Sequence, residues 1–332
     1  MESPNFDLFH VDADGVKNFG WQRSKVQEAW SKVKGNFNPF QIIGSDPLKK
    51  KIRFAGNGRK RFLHQLVRKV LGQDLFNWAQ RAGSCVAEGA GSACNYLACT
   101  NIALLNKSEK FRRSYVPYHY GTMRVFVAPK YGINFNYGDD GGIGSFMAEA
   151  VKIYGNLFAD TPGVEPYQGE ADIARKWGYR PGPKKEFVEE AKKYLVKTAA
   201  RITNWEQLVE AVTNGYPCTI ASMLSFQMNP NSAGFHEQTS EGWAHQMCII
   251  GIDDEWKDPY VLILNSWGNV HGQLYDFYDN SKLPVGVLRV RKSVIERALR
   301  DSEVECFAFS DMEGFYERKT EIDRALFDLF GN

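Results

Sequence analysis

The chain has 332 residues, of which 43% are hydrophobic and 14% aromatic, so it can bury a substantial core, as two subdomains or as one domain with extensions. Its formal charge of +2 gives no reason to expect nucleic acid as a partner. No stretch approaches the ~18 apolar residues of a membrane span, and the acidic start MESPNFDLFHVDAD lacks the apolar run of a secretory signal. We therefore expect a soluble protein, cytoplasmic or held within a protein assembly, that does not partner a membrane.

Residues 1–75 differ in composition from the rest and form a basic N-terminal extension. A helix-like stretch lies near 23–34, and residues 47–73 carry nine Lys and Arg residues without one acid. Such a run is more often a solvated or inter-domain face than a polyanion site. We interpret the extension as a pro-segment, an integral flap, or a segment that docks on a protein partner.

Residues 76–200 read as a helical half of a domain. The run CVAEGAGSACNYLACTNIALL predicts a helix from Cys85 to about residue 105, whose glycines indicate close packing by another element. A second helix, GGIGSFMAEAVKIYG, covers 141–155 and begins with a glycine pair.

Residues 201–311 read as a β half. A helix over 204–215 has Asn204 as its N-cap and Gly215 as its stop. Short β-rich runs follow at 217–224, 245–253, 259–267, 286–292 and 304–311. Several such runs in succession predict an antiparallel, barrel-like unit. The fold class is therefore α+β, a helical subdomain followed by an antiparallel β subdomain, with the active-site cleft expected between them.

Residues 312–332 form a tail with a predicted amphipathic helix. Ile322, Leu326, Leu329 and Phe330 share one helical face. Packing on its own domain is favoured over docking a protein partner.

The six cysteines are too sparse for a disulfide framework, and we expect most of them to be free, buried thiols. The six histidines form no pair at metal-ligand spacing with a cysteine, and HEQTS at 236 is not the HExxH motif of a zinc protease. We expect neither a metal nor any other cofactor.

One cysteine has the setting of a nucleophile. Cys85 stands where its helix begins, and a helix N-terminus together with a nearby imidazolium favours the reactive thiolate. His245 opens one β run and Asn265 closes another; an asparagine carbonyl can orient such a histidine. Gln80 could add a side-chain N–H to the backbone N–H of Cys85, which gives two donors to an oxyanion.

At these motifs the chain resembles the papain-like cysteine peptidases, over about residues 76–311. The elements in the family's order are Gln…Gly-Ser-Cys followed by a helix, Asp-Gly-Gly at 140–142, and NWEQLVEAVTNGYPCTIAS. His245 at the head of a strand follows, then YVLILNSWG, GVLRVRK and CFAFSD. The resemblance implies that Cys85 is the nucleophile, His245 the general base and acid, Asn265 the orienting residue, and Gln80 the oxyanion donor.

The same resemblance implies three residues of a substrate cleft. Trp267 would shield the bond between His245 and Asn265 from water. Gly141 and Gly142 would line the cleft, where their lack of side chains lets an extended peptide pair with the backbone.

The sequence also departs from the family's pattern around these residues. Gln80 precedes Cys85 by five positions instead of six. Val86 replaces the aromatic residue that follows the nucleophile, Gln246 replaces a small residue after the histidine, and a nearby family cysteine is missing. Glu88, one helical turn past Cys85, would oppose thiolate formation if it is buried.

Two main hypotheses follow. The first is a cysteine peptidase that cuts a peptide or protein substrate through a Cys-His-Asn triad and a thioester acyl-enzyme. The alternative is a papain-fold structural or binding subunit of a larger assembly, with weak or lost catalysis. A third, an enzyme of the same fold acting on non-protein amides, shares the triad.

Of the remaining candidate residues, we expect Cys94 and Cys99 to lie in the core, and His236 and His271 to be exposed or hydrogen-bonded loop residues.

Overall fold

The computed structural model describes residues 17–37, 59–105, 110–136 and 138–314. The amphipathic helix predicted in the tail lies outside these ranges. So do four residues of the basic run, Lys49, Lys50, Lys51 and Arg53.

Most helices precede the larger strands along the chain. They are α1 (Val26–Val33), α2 (Leu63–Leu71), α3 (Cys85–Leu105), α4 (Val116–Gly121), α5 (Gly144–Ile153), α6 (Ala171–Gly178), α7 (Lys185–Ala191), α8 (Trp205–Thr213) and α9 (Lys292–Leu299). Short 3₁₀ turns cover Arg23–Lys25, Lys34–Asn36, Ala128–Tyr131 and Lys192–Tyr194, and a π-helical turn, Thr122–Val127, follows α4. None of the described helices has the length and apolar content needed to cross a membrane.

The strands are β1 (Lys17–Asn18), β2 (Lys60–Phe62), β3 (Val196–Arg201), β4 (Cys218–Ser222), β5 (Trp243–Asp253), β6 (Tyr260–Leu264), β7 (Val287–Arg291) and β8 (Glu305–Met312). Six of them make an antiparallel sheet in the order β3-β8-β4-β5-β6-β7. The predicted α+β class, with helices first and an antiparallel sheet after, is confirmed. The five strands predicted from β-rich runs all form, each within three residues of its predicted bounds.

The first half of the chain nevertheless contributes to the sheet. β3 ends at Arg201 and pairs with β8, so the sheet includes a strand from the segment predicted to be helical. The N-terminal extension contributes too, because β2 pairs antiparallel with β5 and α2 packs on α3. The residues from Lys60 onwards are therefore part of the folded body.

α3 is the central helix and is buried almost throughout. Its glycines lie where neighbours approach: a Cβ on Gly89 would lie 3.2 Å from the Gln246 side chain, and one on Gly91 would lie 2.8 Å from Val116. The close packing predicted from these glycines is confirmed. At α8 the predicted cap also forms, since the Asn204 side chain accepts the N–H of Gln207 at 3.0 Å.

Candidate active site

The strand side of the site holds His245 and Asn265. His245 lies in β5, and Asn265 follows the last residue of β6, the neighbouring strand. The Nε2 of His245 and the Oδ1 of Asn265 are 2.7 Å apart, and the same Oδ1 accepts the backbone N–H of Ser266 at 2.7 Å. An amide oxygen only accepts, so the Nε2 of His245 carries its hydrogen and its Nδ1 is left as the basic nitrogen.

Aromatic rings enclose this pair. The Trp267 ring lies 4.9 Å from the His245 ring, and the Phe19 ring lies 5.5 Å from it on an edge-to-face contact. His245 and Asn265 are both fully buried. Burial lowers the pKa of His245 to about 4; the bond to Asn265 opposes this shift and the nearby His271 adds to it. The imidazole is therefore neutral at pH 7 in this structure.

The helix side of the site holds Cys85, the first residue of α3. The carbonyl of Ser84 accepts the N–H groups of Ala87 and Glu88, at 2.8 and 3.0 Å, so the helix begins at the thiol. The thiol sulfur accepts the backbone N–H of Gln246 at 3.4 Å, which places Cys85 beside the strand residue that follows His245.

The thiol and the imidazole do not hydrogen-bond to each other in this structure. The Nδ1 of His245 is buried and has no hydrogen-bond partner among the described residues. Burial raises the pKa of Cys85 to about 12, the Gln246 and Val86 N–H groups oppose the shift, and the charge of Glu88 adds to it. The thiol is protonated and neutral at pH 7.

Glu88 itself is buried, as the sequence argument required for an effect on the thiol. It accepts the hydroxyl of Tyr167 at 2.6 Å and the indole N–H of Trp78 at 3.0 Å. Burial raises the pKa of Glu88 to about 7 in spite of these bonds. Near pH 7 its charge is therefore only partly present.

Gln80 is fixed by three side-chain hydrogen bonds. Its Oε1 accepts the hydroxyl of Ser266 at 2.5 Å, and its Nε2 donates to the carbonyl oxygens of Ala82 and Phe19 at 2.9 and 3.1 Å. The amide hydrogens that would serve an oxyanion are thus engaged with backbone carbonyls.

Residues 17–22, called the covering segment below, lie over the site. The N–H groups of Phe19 and Trp21 both donate to the carbonyl of Ala244, which precedes His245. Gly142 donates its N–H to the carbonyl of Gly20 at 2.7 Å and accepts the N–H of Gln22 at 2.9 Å. The covering segment makes the backbone pairing that Gly142 was predicted to offer to a peptide, and Trp21 pairs with Gly142 in the parallel direction.

Gly141 and Gly142 have no room for a side chain at this contact. A Cβ on Gly141, whose φ is +123°, would lie 2.6 Å from the Gln22 side chain. One on Gly142 would lie 2.4 Å from Met123 and 3.2 Å from Val86. Glycine is needed here because the covering segment and the floor of the site approach so closely.

A buried carboxylate anchors the covering segment. Glu305, at the start of β8, accepts the indole N–H of Trp21 at 2.8 Å and the backbone N–H groups of Gly144 and Ser145 at 2.8 Å each. These two N–H groups begin α5, where a negative charge is favoured. Burial raises the pKa of Glu305, and the hydrogen bonds oppose the rise.

Sequence reasoning missed four residues of this arrangement: Phe19, Trp21, Glu305 and His271. A signal existed for Glu305, the one charge inside the run VECFAF, because a lone charge in a buried strand needs partners. His271 was expected to be exposed or hydrogen-bonded; it is buried, and its Nε2 lies 2.8 Å from the Nδ2 of Asn265.

The remaining cysteines belong to the core. All six cysteines are buried and free, as predicted, and Cys94 and Cys99 lie within α3. Within the part of the chain that the structure describes, there is no group of three His, Cys, Asp or Glu side chains able to hold a metal ion.

Comparison with known structures finds similar chains at low identity. Xylellain, a cysteine protease from Xylella fastidiosa, shares 15% identity with a TM-score of 0.49, covering 79% of this chain and 88% of that one. The bromelain protease from Ananas comosus shares 15% with a TM-score of 0.46, covering 76% and 98%. Digestive procathepsin L 3 of Tenebrio molitor shares 14% with a TM-score of 0.43, covering 79% of each chain. None of the curated proteins compared with the chain matches it.

Comparison with protein families gives one match, to the family described as Papain family cysteine protease, over residues 133–279. The matched range includes His245 and Asn265 and ends before β7; Gln80 and Cys85 precede it. The match therefore links residues 133–279 of this chain, which include His245 and Asn265, to the papain family of cysteine proteases.

Proposed function

We propose that this protein is a cysteine peptidase whose triad is Cys85, His245 and Asn265, acting on a peptide or protein substrate. The observation that carries the proposal is the 2.7 Å contact between the Nε2 of His245 and the Oδ1 of Asn265. This contact leaves the Nδ1 of His245 basic, and Cys85 lies at a helix N-terminus beside the next residue of the same strand.

The reaction has two steps in this proposal. The thiol proton passes to the Nδ1 of His245, and the sulfur attacks the substrate carbonyl carbon. The C–N bond breaks as the imidazolium returns the proton to the leaving amine, which leaves a thioester on Cys85. Water then attacks the thioester with His245 as base and releases the acid and the free thiol. The Nε2 of Gln80 and the N–H of Cys85 would stabilise each oxyanion.

In this proposal the structure corresponds to a covered state. The carbonyl of Phe19 takes the Gln80 amide hydrogen, and the backbone of Gly20 and Gln22 takes the pairing positions of Gly142. A substrate needs the same groups, so the covering segment must leave before it binds. The neutral thiol and neutral imidazole follow from the same burial, since water would favour the charged pair.

The domain organisation is proposed with one refinement. Residues 1–75 serve as a pro-segment or a fixed extension, 76–200 and 201–311 as the two halves, and 312–332 as a separate tail. Because β2 pairs with β5, a removable piece would end before Lys60.

The second candidate is a papain-fold binding or structural subunit with lost catalysis. Full burial of Cys85 under the covering segment favours it, together with the departures around the nucleophile. A subunit of this kind has no need of a reactive thiol, so thiol reactivity separates the two candidates.

The test is site-mapped alkylation of Cys85 at mildly acidic pH. We would compare wild type with Phe19→Ala/Trp21→Ala, called the opened variant below, each with and without His245→Ala. Trp30→Ala/Phe37→Ala is the matched control: it removes the same two residue types from the extension, where they pack on each other and on Phe307. Hydrogen exchange at the Gln22 and Gly142 amides reports whether the segment has left.

We expect Cys85 of the opened variant to react faster than Cys94 and Cys99, and His245→Ala to abolish the difference. A free thiol of pKa ~8.5 is almost wholly protonated at that pH, whereas an imidazolium-paired thiol stays reactive. If Cys85 is accessible in the opened variant and still labels no faster than Cys94, the peptidase proposal fails and the binding subunit takes its place.

A further inference from the structure

The side-chain amide of Asn265 must face the right way for the triad to work. An amide has an oxygen end that accepts and a nitrogen end that donates, and the two ends have almost the same shape. If the nitrogen faced His245, the Nε2 of His245 would have to accept. Its hydrogen would then sit on Nδ1, the atom that must take the thiol proton. The orientation of Asn265 therefore decides whether His245 can act as a base.

Two contacts define this orientation. The backbone N–H of Ser266 donates to Oδ1, so it marks the oxygen end, but it comes from the adjacent residue. At the other end, the Nδ2 of Asn265 lies 2.8 Å from the Nε2 of His271. Because Nδ2 only donates, the Nε2 of His271 must be the unprotonated nitrogen of that ring.

We infer that His271 is a positioning residue for the triad: its Nε2 accepts the Asn265 amide hydrogen and so holds the Asn265 oxygen on the N–H of His245. This inference rests on the proposed function. The two hydrogen bonds then have the same donor-to-acceptor direction. The Nε2–H of His245 donates to Oδ1 of Asn265, and the Nδ2–H of Asn265 donates to Nε2 of His271.

The surroundings keep His271 in this role. Its ring stacks on Trp267, with 6.0 Å between centroids, and meets the His236 ring edge to face at 5.7 Å. His271 is 2% exposed, and burial lowers its pKa to about 4, so the ring is neutral at neutral pH and keeps one nitrogen free to accept the Asn265 amide hydrogen. The ionisable groups facing it are His245 and His236, and behind His236 lies Arg289, whose backbone N–H donates to the His236 Nδ1.

The charge state matters because a proton on the Nε2 of His271 would put two donors against each other. The amide of Asn265 would then have to turn or lose its partner. A buried donor left without an acceptor is unfavourable, so a side chain at position 271 that cannot accept would weaken both the bond to Asn265 and the bond from Asn265 to His245.

The first test measures protonation directly in the full wild-type chain labelled with ¹⁵N-histidine. At pH 7 we expect His271 to show a pyridine-type Nε2 and a pyrrole-type Nδ1, and His245 to show a pyrrole-type Nε2. The signals are assigned with single histidine variants. A hydrogen on the Nε2 of His271 would overturn the inference, whatever the activity of the protein.

The second test removes the acceptor in the opened variant. His271→Phe keeps a ring on Trp267 but cannot accept, and we expect alkylation of Cys85 to slow about tenfold. His271→Gln offers an amide oxygen and should recover most of the rate. His236→Phe is the matched control, a neighbouring buried histidine that does not hydrogen-bond to Asn265, and urea unfolding of each variant separates misfolding from misorientation.

The outcomes distinguish the two proposals. Equal rates for His271→Phe and His236→Phe would overturn the positioning role. If Cys85 is unreactive in every background while the wild-type ring nitrogens have the expected protonation, the peptidase proposal fails. In that case the hydrogen bond from Asn265 to His271 is still supported by the NMR result.

Discussion

The two sides of the site differ in what their polar groups bind. On the strand side, His245, Asn265 and His271 hydrogen-bond to one another in sequence. On the helix side, Gln80 donates to the backbone of the covering segment, and Cys85 is fully buried. The strand side is thus preorganised, whereas the groups of the helix side are occupied by the covering segment, residues 17–22. From this difference we expect that exposure of the helix side, rather than formation of the bond between His245 and Asn265, limits the reactivity of Cys85.

The largest effect is expected from removing the anchor of the covering segment. Glu305→Ala leaves the indole of Trp21 and the N–H groups of Gly144 and Ser145 without their acceptor. We expect the free energy of unfolding to fall by roughly 4 kcal/mol, because each unsatisfied buried donor costs about 1–3 kcal/mol. Denaturant unfolding measures the loss.

The control for the anchor is Glu303→Ala, which removes a half-exposed ion pair with Arg23. We expect a loss below about 1 kcal/mol there. Equal losses for the two variants would mean that Glu305 does not anchor the segment.

Breaking the strand side should leave the fold largely intact and slow the chemistry. Asn265→Ala in the opened variant removes the acceptor on the Nε2 of His245, and alkylation of Cys85 should slow by about 10²-fold, a typical effect of disturbing a general base. Asn269→Ala, an exposed position in the same loop, should change nothing. A rate within twofold of the opened variant would exclude Asn265 as the orienting residue.

Acid should destabilise the protein through its buried histidines. Burial lowers the pKa of five of them to about 4 or about 3: His64, His119, His236, His245 and His271. As pH falls from 6.5 towards 4, the unfolded chain takes up protons that the folded chain does not. The free energy of unfolding therefore falls with falling pH, by up to about 1.4 kcal/mol per pH unit for each group.

Single histidine variants show how much each buried histidine contributes to this pH dependence. Urea unfolding at several pH values, repeated with His236→Phe beside the strand side of the site and with His119→Phe in α4, away from the site, should show the pH dependence of the free energy of unfolding reduced by about one proton in each variant. An unchanged slope in one of them would mean that the replaced histidine titrates alike in the folded and unfolded states.

The smallest effect is expected from Phe19→Leu. It keeps an apolar side chain over the site but loses the edge-to-face contact to His245 and the tilted contact to Trp267, whose ring lies 4.4 Å away. Such aromatic contacts contribute about 1 kcal/mol. Hydrogen exchange at the Gln22 amide should rise accordingly, about fivefold, and Trp30→Leu should leave it unchanged.

Local patterns predicted much of the fold. The helix that begins at Cys85 was readable because small and apolar residues run without a proline, and β5 and β6 were readable from runs of β-branched and aromatic residues. β3 was missed because VKTAAR has little of that character; it becomes a strand by pairing with β8.

The candidate site residues could be predicted from motifs, but the residues that they contact could not. Cys85 begins a helix, His245 lies two residues inside the start of β5 and Asn265 directly follows β6, so their types and order could be predicted from the sequence. Nothing local indicates that Phe19 would offer its carbonyl to Gln80, since the two residues are 61 positions apart. His271 looked like an ordinary loop histidine until its contact with Asn265 was known.

By itself, the sequence determined which segments become helices and strands and which side chains have the chemistry of a thiol enzyme, because both depend on neighbours a few residues apart. The tertiary structure alone decided what those side chains bind. It placed the covering segment against Gln80, Gly142 and His245, bonded Glu305 to the indole of Trp21 and turned the Asn265 amide oxygen towards His245. These are contacts between distant segments, and burial then fixed the neutral charge states of the thiol and the imidazole.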